Sequence, residues 1–275
     1  MPSSNPAFGR GFANAGNGGQ YPGWGAQPQQ YGAPTQYGAP TQYDPYAAPA
    51  PYAPPSTRYM TMDDVVTKTG LTFLVTVAAA AGVWALPGQT GWGLAIPAVL
   101  VGLVLGLVIA FKQIANPAAT LAYAAVEGVF LGAISEAFHD YFGQGIVTQA
   151  VIGTFGVFAG MLVVYKTGAV RVTPKFTRWM VGAMVGVLVL MLANMLAGFF
   201  GVNLGLRDGG ALAIVFSLVV IGVAAFSLLL DFDMADEAIR RGAPAKFAWY
   251  IAFGLLVTVV WLYLEILRLL SYFRE

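Results

Sequence analysis

The chain has no cysteine and only one histidine, His139. Disulfide frameworks, iron–sulfur clusters, zinc fingers and cysteine nucleophiles are therefore excluded. Charge is scarce too: 10% of the 275 residues are Asp, Glu, Lys or Arg, against roughly 25% in soluble domains. Net charge is +1, so no global field draws the chain to nucleic acid. No phosphate-binding glycine loop, metal-binding histidine pair or GxSxG element is found, and no enzymatic activity is expected. A basic stretch followed by an apolar core would mark a secretory leader; MPSSNPAFGRGFANAGNGG has neither, and insertion through the first membrane helix is expected.

Apolar residues are abundant, at 57%. They fall into seven runs: Leu71–Leu86, Gly93–Phe111, Ala118–Phe138, Ile146–Tyr165, Trp179–Val202, Ala211–Leu230 and Phe247–Phe273. Each is about the length needed to cross a hydrocarbon core of roughly 30 Å. Each is apolar on all faces, whereas barrel strands alternate, so the expected fold is all-α: an integral membrane bundle of seven transmembrane helices in contact with lipid. Small residues recur at helical spacing, as in Gly102/Gly106, Gly128/Gly132, Gly153/Gly156/Gly160 and Gly182/Gly186, which lets backbones approach closely. Thr61 is an expected N-cap, with Asp63 and Asp64 in the first turn.

Residues 1–58 are a different material. They are rich in Gly, Pro, Gln, Tyr and Ala and carry the repeat QYGAPTQYGAPTQY. Such a segment buries too little apolar surface to offset its ordering entropy and is expected to be a disordered tail. It is either a solvated extension or, through its tyrosines, a contact for a membrane-protein partner. Residues 59–275 form the expected helical domain.

Loop charges set orientation. One set of flanks holds Arg58, Lys68, Lys112, Lys166, Arg171, Lys175, Arg178, Arg240, Arg241 and Lys246; the other holds Arg207, Arg268 and Arg274. Ten against three predicts an odd number of spans in the cell's inner (plasma) membrane, with the N-terminus cytoplasmic and the C-terminus outside.

The remaining signal lies in acids within apolar runs, which are costly and functional candidates by default. Glu265 lies inside the last run. Arg268, three residues on, is its expected partner, and the pair is either structural or a protonatable switch, because desolvation and a nearby cation pull a carboxylate's titration in opposite directions. Glu127 lies at the middle of the third run and is expected to face the bundle, with Asn194 of the fifth helix as a possible hydrogen-bond partner. Glu136 lies about half a turn away in phase and is expected to be solvated. Asp231 and Asp233 are expected to end the sixth helix, with Asp236–Arg240 and Glu237–Arg241 as solvated i,i+4 pairs. Glu127, Asp231, Asp233 and Glu265 together suggest an ion path or pH gate. No bound cofactor is expected, Ca²⁺ entering only as a transported ion. Seven spans also suit a retinal protein, but the last helix has no internal lysine for a Schiff base.

Three phrases carry a family resemblance. GVFLGAISE (residues 128–136) resembles the GxxLGPxxE signature of the Bax inhibitor-1 family, LLLDFD resembles its FDT/YDT element, and WLYLEILRLL resembles its LYLDFxxLxxxLL, with Glu265 in place of Asp. The likeness runs from about Met60 to the end and points to a divergent bacterial branch. It implies a pH-sensitive calcium leak in which two carboxylates, from the sixth and seventh helices, share a proton. Glu265 would take one role and Asp231 or Asp233 the other. Some bacterial relatives are similar to modulators of a membrane protease, which implies the alternative of a non-transporting regulator. The spacing conflicts with the pairing unless the last helix bends, as near Gly254; without a bend, Glu127 is the alternative partner for Glu265. Asp231 lies 11 residues before Gly242 and Glu265 lies 21 after Pro244, depths of about 16 and 32 Å from the turn in a straight hairpin.

Overall fold

The computed structural model describes residues 58–86 and 90–274. The expected tail lies outside them, apart from Arg58. Seven helices follow in order: α1 (Met62–Trp84), α2 (Thr90–Lys112), α3 (Pro117–Phe142), α4 (Ile146–Thr167), α5 (Pro174–Phe199), α6 (Ala211–Arg240) and α7 (Ala248–Tyr272). All seven are long and apolar enough to cross a membrane, and the chain is an all-α, multi-pass membrane protein.

The helix ends follow from local chemistry. Thr61 caps α1 in a reciprocal box: its hydroxyl accepts from the Asp64 amide at 3.3 Å and the Asp64 carboxylate accepts from the Thr61 amide at 3.2 Å. This starts α1 nine residues before its apolar run. Asp64 also meets Arg58 at 3.1 Å and Lys68 at 3.6 Å, so it is a start signal tied to the basic flank. Asn116 and Thr173 cap α3 and α5, each followed by a proline at the first helical position. The α6 helix does not end at Asp231 and Asp233. It continues to Arg240, and its last turns carry the expected i,i+4 pairs Asp236–Arg240 and Glu237–Arg241, joined by an i,i+3 pair between Glu237 and Arg240.

The α7 helix is the hub. It packs on α1, α3, α4 and α6 and is the most enclosed of the seven, while α5, which packs on α6, is the least. Ala224, Leu228 and Phe232 of α6 mesh with Ile251, Leu255 and Leu262 of α7. Close approach occurs where the glycine spacing predicts it for α3: a Cβ on Gly132 would stand 2.6 Å from the Ala80 carbonyl oxygen of α1, and one on Gly128 would stand 2.7 Å from the Ala79 Cβ. The glycines of α5 differ. Nothing lies within 4 Å of a Cβ built on Gly182 or Gly186, so these do not mark a helix contact.

At one end of the bundle the segment just before α1 is sewn to the α6–α7 turn. Tyr59 bridges Pro244, the Met60 amide donates to the Ala243 carbonyl at 2.8 Å, and the Ala245 amide donates to the Arg58 carbonyl at 2.8 Å. At the opposite end the Arg274 guanidinium donates to the carbonyls of Phe142 and Gln144, each at 3.1 Å, and to the Gln149 side chain at 2.9 Å. The two sets of flanking charges thus lie at opposite ends of the bundle, as seven antiparallel crossings require.

Candidate functional site

The acids stand in three separate settings. Glu265, on α7, is 3% exposed, and Arg207 reaches it from the 200–210 loop between α5 and α6. The guanidinium donates to Oε1 at 2.9 Å and to Oε2 at 3.5 Å. The expected partner, Arg268, is more distant, with its nearest nitrogen 3.6 Å from the carboxylate. Arg207 also stands over the Phe216 ring of α6, 5.7 Å from its centroid. The loop that delivers it is braced from within: the Asp208 carboxylate accepts from the Gly210 amide at 3.1 Å, and Asn203 accepts from the Gly205 amide at 2.9 Å. Gly205 and Gly209 take left-handed φ values of +73° and +80°, open to glycine without strain. Sequence reasoning missed Arg207. It was legible only as one basic residue among the few on its flank, and no spacing rule links a loop cation to an acid 58 residues away.

Asp231 occupies the second setting. Its Oδ2 accepts from the Thr258 hydroxyl of α7 at 2.7 Å, and Oδ1 lies 3.8 Å from where a Gly254 Cβ would be. No cation meets it among the described residues. Thr258 precedes Glu265 by seven residues on α7, two turns or about 10 Å, so the depth mismatch read from the spacing is real and the acids of α6 and α7 do not pair. The α7 residue level with Asp231 is a hydroxyl, not a second carboxyl. Asp231 and Asp233 both line a cavity of about 760 Å³ between α5, α6 and α7, along with Ser227, Glu237 and Arg241. This cavity lies at the α6–α7 turn end of the bundle, the end that carries the ten basic residues.

Glu127 makes the third setting. Its Oε1 accepts from the Tyr123 hydroxyl one turn earlier on α3, at 2.7 Å, and a Cβ on Gly102 of α2 would lie 3.5 Å from Oε2. The hydrogen bond expected from Asn194 does not form. Asn194 is on α5, at the far side of α6, whereas α3 packs on α1, α2, α4 and α7. The residue facing Glu127 is therefore a glycine of α2, and the partner is a tyrosine on its own helix. Glu136 also departs from expectation: its Oε2 is buried with no hydrogen-bond partner among the described residues. The depth reading placed it near the membrane boundary but not the neighbours that cover it.

Among the described residues no three carboxylate or imidazole groups gather closely enough to hold a metal ion. What the arrangement offers is a cavity with three acids and Arg241 in its wall at one end, a buried and arginine-locked carboxylate toward the other, and a tyrosine-bonded carboxylate at the side. A search of the curated proteins finds no match to this chain. The model of one protein family, described as Bax inhibitor 1 like, matches residues 5–275, and the chain belongs to that family.

Proposed function

We propose that the protein passes or exchanges a cation, Ca²⁺ by preference, across the cell's inner membrane, with the N-terminus in the cytoplasm and protonation of Asp231 governing the path. The observation that carries this reading is Asp231 itself. It faces a cavity with Asp233 and Glu237 beside it, and its hydrogen-bond partner is a neutral hydroxyl. A carboxylate in such a place is neutralised either by a proton or by a passing cation, and oxygen ligands suit a hard ion. The dispersed acids favour transit over storage, since conduction needs sites weak enough to release the ion. Beyond the cavity, Glu265 is occupied by Arg207, and this pair supports a closed outer end in the present state.

The test is Ca²⁺ flux in proteoliposomes of phosphatidylethanolamine and phosphatidylglycerol. Asp231→Asn is expected to cut flux at least fivefold and flatten its response to pH. Glu265→Gln is expected to raise flux by freeing Arg207. If neither change alters flux or its pH response, the reading fails. Absence of flux together with capture of one membrane partner that depends on residues 1–58 would favour the regulator instead.

A further inference from the structure

A second cavity, of about 290 Å³, lies between α1 and α4 and takes no part in the reading above. Its mouth is formed by exposed side chains of the two helices, Val77, Ala81 and Trp84 on one side and Val151 and Phe155 on the other. Its floor is α3 and α7, where Leu256, Val260 and Tyr263 are buried. Phe73 closes the inner end, with its ring edge-on to Phe155 and Phe158 at centroid distances of 6.4 and 6.1 Å. We propose that this crevice holds one acyl chain of a membrane phospholipid, drawn from the leaflet on the Trp84 side.

Three features select that occupant. The first is length. Phe73 to Trp84 is eleven residues, about 16 Å of helix, and half of a hydrocarbon core of roughly 30 Å is about 15 Å. The crevice therefore runs the depth of one leaflet. The second is polarity. The hydroxyls in the lining already have partners: Thr76 donates to the Ala124 carbonyl at 3.2 Å, Thr154 donates to the Ala150 carbonyl at 2.7 Å, and Ser135 and Tyr263 share a hydrogen bond of 2.7 Å. They ask nothing of a ligand, and an apolar cavity of this kind does not hold water. The third is size. The volume is near the lower bound of small-molecule sites, roughly 300 Å³, wide enough for a chain of methylenes but too narrow for the roughly 10 Å cylinder of a further helix. Left empty, the lining would forfeit its dispersion contacts on that side, and the bilayer supplies chains at the mouth.

The test is photolabelling of the full-length protein in phosphatidylethanolamine/phosphatidylglycerol vesicles. The probe is a phosphatidylglycerol that carries a diazirine midway along one chain, and adducts are mapped by peptide fragmentation. Adducts on Leu256, Val260 and Tyr263 are expected to exceed those on Leu228, buried elsewhere in the core, at least fivefold. Filling the mouth by Ala81→Phe or Val151→Phe is expected to remove that excess, while adducts on the exposed Leu188 and Val189 of α5 stay unchanged and a cooperative thermal transition in detergent shows that the variants are folded. Floor labelling no higher than at Leu228, or labelling that both filled variants retain, overturns the proposal. The wild-type comparison decides alone if neither variant folds.

Discussion

Arg207 and Glu265 are 58 residues apart in the chain and 2.9 Å apart in space. The pair locks the 200–210 loop to the buried face of α7. Removing one member of a buried pair leaves an uncompensated charge, which costs about 3–5 kcal/mol, whereas removing both is far milder. Arg207→Ala is therefore expected to lower stability in detergent by about 3 kcal/mol, as read from thermal unfolding. Arg268, at 3.6 Å, supplies part of the compensation and holds the loss to the lower end of that range. Adding Glu265→Gln to Arg207→Ala is expected to recover most of the loss. A double variant no more stable than Arg207→Ala would show that the two side chains do not act as a unit.

The hydroxyl that meets Asp231 gives a second prediction. Thr258→Val keeps the side-chain shape and removes the hydrogen bond, so a loss of about 1 kcal/mol is expected from thermal unfolding. Thr258→Asp adds a second carboxylate level with Asp231 at the cavity wall. Affinity of oxygen sites for Ca²⁺ rises with the number of charged ligands, so Ca²⁺ measured by isothermal titration is expected to bind roughly tenfold tighter than to the unaltered protein. Equal affinity would mean that the cavity does not present Asp231 to ions.

Seven spans and the segregation of charge were legible in the sequence, because each rests on local composition: apolar length, the cap at Thr61 and the basic flanks; the end of α6 was not, since the helix runs ten residues past its apolar run to Arg240. The presence of buried acids was legible from local composition too. Their partners were not. Periodicity showed that Glu265 and Arg268 share a face, yet a loop arginine with better geometry takes the carboxylate. Depth counting along α6 and α7, where helix rise is fixed, set Asp231 and Glu265 at different depths but left open whether a bend in α7 would bring them together. It could not name Thr258, because a threonine in an apolar helix usually donates back to its own backbone, as Thr154 does. Glu127 shows the limit from the other side. Its inward face was read, but which helix stood opposite depended on packing order, which no single helix encodes.

The glycines separate close approach from mere presence. A Cβ on Gly132 would meet backbone at 2.6 Å, the Ala80 carbonyl oxygen, so α1 must shift outward to admit it. Gly132→Ala is expected to destabilise the protein by about 1–3 kcal/mol through overpacking. Gly182→Ala, in open space on α5, is expected to leave stability unchanged or raise it by up to about 1 kcal/mol through helix propensity. Melting temperatures of the two variants in one detergent check the contrast: a loss at Gly182 as large as at Gly132 would contradict the open setting of Gly182, and no loss at Gly132 would contradict the α1–α3 contact.

Orientation can be read directly because the chain has no cysteine of its own. In the orientation proposed above, the α6–α7 turn end with its ten basic residues lies in the cytoplasm, as the positive-inside rule expects, and the Arg207 loop faces out. Asn203 in that loop and Arg171 in the α4–α5 connection are exposed and lie at opposite ends of the bundle. With Asn203→Cys, a membrane-impermeant maleimide is expected to label intact cells. With Arg171→Cys, label is expected only after permeabilisation. Neither site is one of the acids of the candidate path, and the label reads topology even if loss of the Asn203–Gly205 hydrogen bond loosens the Arg207 loop. The reverse pattern would put the acid-lined cavity on the outer face, and Asp231 would then answer to external rather than cytoplasmic protons.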